Sequence, residues 1–162
     1  MYSLPSPFVL RQALATDQEF LDALFTSTRD DLAFAGLDPV MQKQLLKMQQ
    51  GVQQAGFTNH YPDARHLVLE RAGQPIGRVV VDTGVSDIRI VDIAVLPFAQ
   101  RAGAARTVLQ ALQASAREHG LGMSLAVGKA NTAARALYRS QGFTVSSDDG
   151  LFEQMAWMGG AA

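Results

Sequence analysis

The segment from residue 88 to residue 127 constrains the fold of this chain more than any other. Its apolar, β-branched start, Ile88 to Val95, has the pattern of a strand that stops before Pro97. A helical pattern then runs from about Ala102 to His119, and a second apolar run, Met123 to Val127, follows it. A strand, a helix and a strand in this order predict a crossover that places the two strands parallel in one sheet.

The remaining segments predict antiparallel strands and flanking helices. Phe8–Arg11, His66–Glu70 and Ile76–Val81 have strand patterns, and the last two are close enough to form a hairpin. Two more strands are predicted near the C-terminus, around an Asp-Gly turn. We therefore expect one domain over residues 1–162. Its class is α/β, with a mixed central sheet of about six to seven strands flanked by about four α-helices.

The second predicted helix has a particular expected orientation. It should begin with Asp38 as the N-cap and Pro39 in the first turn, and it should end around Gly56. Its apolar side chains recur at helical spacing and are expected to form the buried stripe: Met41, Leu45, Met48 and Val52. The glutamines of the opposite face are expected to be solvated: Gln42, Gln49, Gln50 and Gln53.

Composition argues against several classes of function. The formal net charge is -1, with 14 basic and 15 acidic residues, so no positive excess is available to neutralise a run of phosphates and nucleic acid is not an expected partner. Cysteine is absent and the three histidines lack metal-ligand spacing, so we expect no metal site. No apolar run approaches the roughly 20 residues that span a bilayer, and the N-terminus lacks signal-peptide features. We therefore expect a cytoplasmic protein without membrane association.

The junction between the central strand and the long helix has the features of an anion site. The loop Gln100-Arg101-Ala102-Gly103-Ala104-Ala105 places small residues at the start of a helix. Small side chains let an anion approach the first unpaired amides, where the helix dipole also favours negative charge. Arg101 and Arg106 can add charge-assisted contacts to a pyrophosphate. The alternative is an Ala-rich helix start that only packs tightly against the sheet.

This loop resembles the signature of the GNAT acetyltransferase family, Gln/Arg-x-x-Gly-x-Gly/Ala. Downstream, the segment from Asn131 to Phe143 is similar to the family's second motif, Asn-x-x-Ala-x-x-Leu-Tyr-x-x-x-Gly-Phe. The opening Leu10-Arg11-Gln12-Ala13, followed by Asp17, is similar to the family's first strand and helix start. The resemblance implies the GNAT fold. It also implies acetyl transfer from acetyl-CoA to a primary amine, by direct attack in a ternary complex.

The resemblance implies a set of cofactor-binding residues. In this family the strand before the loop is splayed from its neighbour, and its free backbone groups pair with pantetheine. The pyrophosphate is expected on the amides of the loop, and Asn131 is expected to reach the pantetheine arm. Asn131 also suits a helix N-cap, and one residue can fill both roles. The full set is Ile93, Ala94, Val95, Gln100, Arg101, Ala102, Gly103, Ala104, Ala105, Arg106 and Asn131.

The resemblance also implies a general acid. Tyr138 matches the tyrosine that in many relatives protonates the departing CoA thiolate. A hydroxyl within hydrogen-bond reach of the sulfur makes the thiolate a better leaving group. The alternative is a tyrosine that only packs beside Ala134 and Leu137 on one side of its helix.

The general base is less clearly defined by the sequence. Some relatives carry a Glu on the strand after the long helix, where this chain has Ala126. Asp92, next to the pantetheine strand, is the predicted replacement, with Glu70 and Glu153 as weaker candidates. A water chain leading to backbone carbonyls is a further alternative. Asp92 has its own alternative, a carboxylate that is solvated or paired with Arg89.

Several functions remain open at this point. The acceptor could be a small metabolite amine, an antibiotic-like polyamine, a protein N-terminus or a lysine, and the absence of the Glu at Ala126 argues mildly against the N-terminal type. Asp148, Asp149 and Glu153 could attract a cationic acceptor or could simply be solvated. A second hypothesis is a catalytically degenerate module that binds acyl-CoA and regulates a partner. A third is a purely structural dimer, and a homodimer is also compatible with the enzyme.

Overall fold

The computed structural model describes residues 2–29 and 36–159. Its strands are β1 (Phe8–Gln12), β2 (Arg65–Arg71), β3 (Gln74–Thr83), β4 (Asp87–Val95), β5 (Gly122–Gly128), β6 (Thr144–Asp148) and β7 (Phe152–Trp157). Its α-helices are α1 (Gln18–Ser27), α2 (Pro39–His60), α3 (Ala104–Glu118) and α4 (Thr132–Ser140). All seven strands belong to one sheet, in the order β1-β2-β3-β4-β5-β7-β6. The predicted α/β class and mixed sheet are confirmed.

The central pair of strands, β4 and β5, is parallel, and α3 connects them. Every other neighbouring pair is antiparallel. The parallel pairing covers only Asp87–Ile90 of β4 and Gly122–Leu125 of β5. Beyond it, the end of β4 pairs with β3 alone and the end of β5 pairs with β7 alone. The two strands therefore diverge, and they leave an opening in the middle of the sheet.

Helices cover both faces of the sheet. The stripe predicted for α3 is buried against it: Val108, Leu109, Leu112 and Ala116. Burying a Val or Leu side chain of this kind stabilises the fold by about 1.5–3 kcal/mol. Because side chains alternate along a strand, Val79 of β3 joins that cluster, while Arg78, the residue before it, contacts α2 on the opposite face.

The predicted start of α2 is confirmed. Asp38 is the N-cap, its carboxylate accepts a hydrogen bond of 2.9 Å from the amide of Met41, and Pro39 lies in the first turn. The predicted end is wrong, because the helix continues past Gly56 to His60. Phe57, in this extra turn, is buried and explains the extension. No helix within the described ranges is long and apolar enough to cross a membrane.

The predicted orientation of α2 is also wrong. The apolar side chains Met41, Met48 and Val52 are 51%, 60% and 68% exposed, respectively. Glutamines face the protein instead, and Gln53 accepts a hydrogen bond of 3.2 Å from Arg78. The reason is that a buried guanidinium must be hydrogen-bonded, and an amide on the facing helix supplies the acceptor. This polar requirement outweighs the apolar periodicity of the helix.

Candidate active site

A cavity of about 450 Å³ lies where β4 and β5 diverge. The end of β4, the start of α3 and one side of α4 line it. All of the predicted cofactor-binding residues line this cavity except Ala94 and Ala102, and Tyr138 lines it as well. Two motifs that lie about thirty residues apart in the sequence are thus brought to one site by the β4-α3-β5-α4 topology.

The start of α3 presents unpaired backbone amides to this cavity. Gly103 is the N-cap, with a φ of 84°, and its carbonyl accepts the first helical hydrogen bond from the amide of Thr107 at 2.9 Å. The amides of Ala104, Ala105 and Arg106 therefore have no partner within the helix. Apart from Gly103 itself and its two chain neighbours, no heavy atom of the described residues lies within 4 Å of the position that a Cβ on Gly103 would occupy. The first turn carries no acidic residue, so the site suits an anion.

The loop before α3 is held in an unusual conformation. Arg101 has a φ of 63°, and among the described residues only Ala72 shares a positive φ without being glycine. Such a residue costs about 1–3 kcal/mol, and strain of this kind clusters at ligand-binding sites. Gln100 anchors the loop, because its Nε2 donates a hydrogen bond of 2.9 Å to the carbonyl of Val95. Arg101 and Arg106 make no ion pair in the described part of the chain, so both charges are available to a ligand.

The end of β4 offers a free backbone edge. Ile93, Ala94 and Val95 pair with β3 on one side only, since β5 has already diverged on the other. Gly77 of β3 makes this arrangement possible. A Cβ at Gly77 would lie 2.6 Å from the carbonyl oxygen of Ala94, which is closer than real Cβ atoms come. The N–H and C=O groups that face away from β3 along this edge can pair with an extended ligand, although the carbonyl of Val95 already accepts the hydrogen bond from Gln100.

One side of α4 completes the cavity. Asn131 is the N-cap of α4, and its Oδ1 accepts a hydrogen bond of 3.2 Å from the amide of Ala134. The ring of Tyr138 packs against Phe143 at a centroid distance of 5.9 Å. Its hydroxyl makes no hydrogen bond to any described residue. Burial, with a smaller contribution from the charge of Asp92, raises the pKa of Tyr138 to about 12, so the hydroxyl keeps its proton at neutral pH.

The predicted base, Asp92, lies in an ion pair. Its Oδ2 accepts hydrogen bonds from Arg78 Nη2 at 2.8 Å and from Arg78 Nε at 3.1 Å. The anticipated pairing with Arg89 is wrong, because that guanidinium donates a hydrogen bond of 2.9 Å to the side chain of Gln154 on β7, two strands away in the sheet. Within the described ranges the Oδ1 of Asp92 accepts no hydrogen bond. One carboxylate oxygen is therefore free to receive a donor from a ligand.

The weaker candidates for the base are held elsewhere. Glu70 bonds Arg11 at 3.1 Å on the outer strands of the sheet. Glu153 is buried and accepts a hydrogen bond of 2.8 Å from Arg135, which holds the pKa of Glu153 below its usual range. Ala126 is exposed and brings no carboxylate to the divergent end of β5.

The acidic turn near the C-terminus is already satisfied by its own surroundings. Asp148 forms a salt bridge of 2.7 Å with Lys129, and the hydrogen bond from Lys129 lowers the pKa of Asp148. The carboxylate of Asp149 accepts hydrogen bonds from the amides of Leu151 and Phe152 at 2.9 and 2.8 Å. These carboxylates stabilise the turn through their contacts with Lys129 and the turn amides. They are therefore largely engaged and little of their charge is left for a cationic acceptor.

A second cavity, of about 650 Å³, lies between α1 and α2 on the opposite face of the sheet. Arg78, 7% exposed, lines it and connects it to Asp92. Sequence analysis missed Arg78, although a single charge inside the apolar run Ile76–Val81 was a usable signal. It also missed lining residues of the first cavity that follow from the second motif, namely Ala134 and Leu137.

Comparison with known proteins places these features in one family. The sequence model of the acetyltransferase (GNAT) family matches residues 24–143 of the chain. No curated protein matches the chain significantly in sequence.

Solved structures share the fold along almost the whole chain. The PaiA N-acetyltransferase of Thermoplasma acidophilum, in complex with coenzyme A, is 15% identical over 93% of this chain and 98% of the other, with a TM-score of 0.67. The ribosomal-protein-S18-alanine N-acetyltransferase of Escherichia coli is 22% identical over 96% of both chains, with a TM-score of 0.62. A chimera of the Vibrio cholerae spermidine N-acetyltransferase SpeG and hSSAT is 23% identical over 94% of this chain and 96% of its own, with a TM-score of 0.63. At these identities the likeness is one of fold.

Proposed function

This chain belongs to the GNAT acetyltransferase family, and we propose that it transfers an acetyl group from acetyl-CoA to a primary amine. The observation that carries the proposal is the first cavity. It combines unpaired amides at the start of α3, two uncompensated arginines, a free strand edge and a protonated tyrosine in one place. The acceptor is a small-molecule or peptide amine.

The cavity accounts for the parts of acetyl-CoA in turn. The pyrophosphate lies on the amides of Ala104, Ala105 and Arg106, where the helix dipole and the free N–H groups both favour an anion. Pantetheine pairs with the free edge of Ile93–Val95, which directs the thioester toward Tyr138. Asn131 caps α4 and lines the same cavity, so it serves both the helix and the pantetheine arm.

The reaction forms a C–N bond and breaks the C–S bond of the thioester. The amine attacks the carbonyl carbon, and the sulfur leaves with the bonding electron pair as negative charge develops on it. Tyr138 donates its hydrogen bond to this sulfur. The pKa of Tyr138, about 12, lies above that of a thiol, at roughly 8.5. The hydroxyl therefore stabilises the thiolate as a hydrogen-bond donor and keeps its own proton.

Asp92 receives the incoming amine. An acceptor ammonium ion has a pKa near ~10, so it must lose a proton before it attacks. The free Oδ1 of Asp92 accepts a hydrogen bond from that group while Arg78 holds Oδ2. If Asp92 takes part in deprotonation, Asp92→Asn shifts the limb of the pH–rate profile on which the rate rises toward alkaline pH. An unchanged limb would remove Asp92 from this step and leave a water chain as the route.

The test is thiol release by CoA-free protein supplied with acetyl-CoA and a broad panel of amines. Turnover of any amine, with formation of its N-acetyl product, supports the proposal. A second function, an acyl-CoA-binding regulatory module, is favoured by one observation, the pairing of every predicted base with an arginine. Tight binding of acetyl-CoA without turnover, unchanged by Tyr138→Phe, would establish that alternative.

A further inference from the structure

The groove between α1 and α2 carries an excess of positive charge. Lys43, Lys47 and Arg78 line it, and among the described residues that line it Asp22 is the single carboxylate. The Oδ1 of Asp22 already accepts hydrogen bonds from two glutamines, Gln18 at 2.7 Å and Gln50 at 2.8 Å. Lys43 and Lys47 lie four residues apart on α2, on the same side of the helix. Neither forms an ion pair with a described residue, so the groove suits an anion.

Arg78 is the buried part of this groove, and its guanidinium is held in place from three sides. Asp92 accepts hydrogen bonds from Nε and Nη2, and Gln53 accepts one from Nη2. The ring of Phe57 lies 5.5 Å from the Cζ of Arg78, within the range of a cation–π contact. The Nη1 group donates no hydrogen bond to the described residues. A fixed guanidinium with a free nitrogen is suited to a carboxylate.

Among the described residues, the groove and the first cavity have no lining residue in common, and Asp92 on β4 is the residue that interacts with both Arg78 and Tyr138. Arg78 pairs in register with Ala94 of the predicted pantetheine strand. Asp92 bonds Arg78 on the groove side, and its charge also acts on Tyr138, which lines the first cavity. An acceptor with its amine at Asp92 would therefore extend along Arg78 into the groove.

We propose that the acceptor of this enzyme is an amine that also carries a carboxylate, that Arg78 binds the carboxylate, and that Lys43 and Lys47 add positive charge along the groove. The inference rests on the proposed acetyl transfer and names its substrate class, amino acids and short acidic peptides. Within one acceptor, the amine contacts Asp92 and the carboxylate contacts Nη1 of Arg78. The lysines extend the positive field toward the open part of the groove. A polyamine would meet like charges there, and the carboxylates of the C-terminal turn are engaged in their own contacts.

The first experiment compares matched acceptors at saturating acetyl-CoA. Glutamate, methionine and the dipeptide Ala-Glu are assayed as acceptors by thiol release. Each is compared with the form in which every carboxylate is replaced by a carboxamide, and spermidine serves as a cationic acceptor. We expect the acids to exceed their amides by at least about tenfold in kcat/KM, because the amide loses the charge-assisted contact. Equal rates for acids and amides, or a preference for spermidine, would overturn the anion site while leaving the transferase intact.

The second experiment changes the charged side chains of the groove, first the two exposed lysines and then the buried Arg78. Lys43→Gln with Lys47→Gln should raise KM for the acids about threefold to tenfold at low salt, with kcat, KM for the amides and CoA affinity unchanged. Lys43→Gln and Lys47→Gln are also made singly, and Arg65→Gln, which removes one exposed charge on β2 outside the groove, is the control for each of them. Arg78→Lys keeps a charge beside Asp92 but has fewer donors, and it should raise KM for the acids most. If Arg78→Lys does not fold, the lysine pair decides, and an unchanged KM overturns the proposal.

A binding measurement separates failure of the two proposals. Calorimetry of Ala-Glu and its amide form against the CoA-saturated chain reports on the groove without turnover. Selective binding of the acid, weakened by the lysine pair, with no acetylation of any amine, would refute acetyl transfer and retain the anion site. Acetylation without selective binding would do the reverse.

Discussion

Replacing Tyr138 by Phe isolates one hydroxyl in the proposed mechanism. The pKa of Tyr138, raised to about 12, exceeds that of a thiol by roughly 3.5 units, so complete proton transfer to the thiolate is uphill by about 5 kcal/mol. The hydroxyl therefore acts as a hydrogen-bond donor to developing charge. A hydrogen bond to a charged group contributes about 1.5–3 kcal/mol, which corresponds to a loss of about 10- to 150-fold in kcat.

The free energy of unfolding of Tyr138→Phe is the control for a structural effect of the substitution. Since the Tyr138 hydroxyl bonds no described residue, its removal leaves no protein group unpaired, and the free energy of unfolding should change by less than about 1 kcal/mol. The assay is steady-state thiol release with calorimetric titration of CoA, alongside urea unfolding. A kcat within twofold of the unmodified enzyme would refute the assigned role. A large loss of stability would show that the hydroxyl has a structural partner.

Two further predictions concern the scaffold. Gly77→Ala would place a Cβ 2.6 Å from the carbonyl oxygen of Ala94, so β4 must shift. We expect a loss of about 1–3 kcal/mol in urea unfolding and weaker CoA binding, whereas Gly56→Ala, a helical position with nothing within 4 Å, should gain about 0.5–1 kcal/mol. The salt bridge to Arg11 lowers the pKa of Asp17 from 3.8 to about 2. The ionised Asp17 carboxylate therefore stabilises the folded chain by about 2 kcal/mol above pH 4, and this contribution is lost as the pH falls toward 2. Asp17→Asn should therefore destabilise the chain at pH 7 and converge with the unmodified chain in acid; a constant difference would contradict this assignment.

The sequence predicted the elements that local chemistry specifies. Pro39 and Asp38 set the start of α2, and Asn131 set that of α4, because caps act through neighbouring residues. The apolar stripe of α3 was also predictable, since no buried charge lies beneath it. The residues that line the first cavity, which we propose binds acetyl-CoA, followed from two motifs whose relative placement the crossover fixes.

The errors lie where long-range polar contacts decide the structure. The burial of Arg78 created a need for acceptors that Asp92 and Gln53 meet, across strand and helix. Gln53 faces inward as one of these acceptors, while Met48 is exposed, against the helical periodicity. Such pairings join residues that are distant in the chain, and periodicity within one element carries no record of them.

The account depends most on the anion site at the start of α3, and calorimetric titration with CoA tests it directly. Gly103 has a φ of 84° and open space where a Cβ would lie, so Gly103→Ala carries the backbone strain of a side chain without a charge. Gly103→Glu adds a carboxylate at the position assigned to the pyrophosphate. We predict that Gly103→Ala retains weakened CoA binding and that folded Gly103→Glu shows none. Unchanged affinity in folded Gly103→Glu would contradict the assignment of the phosphate site.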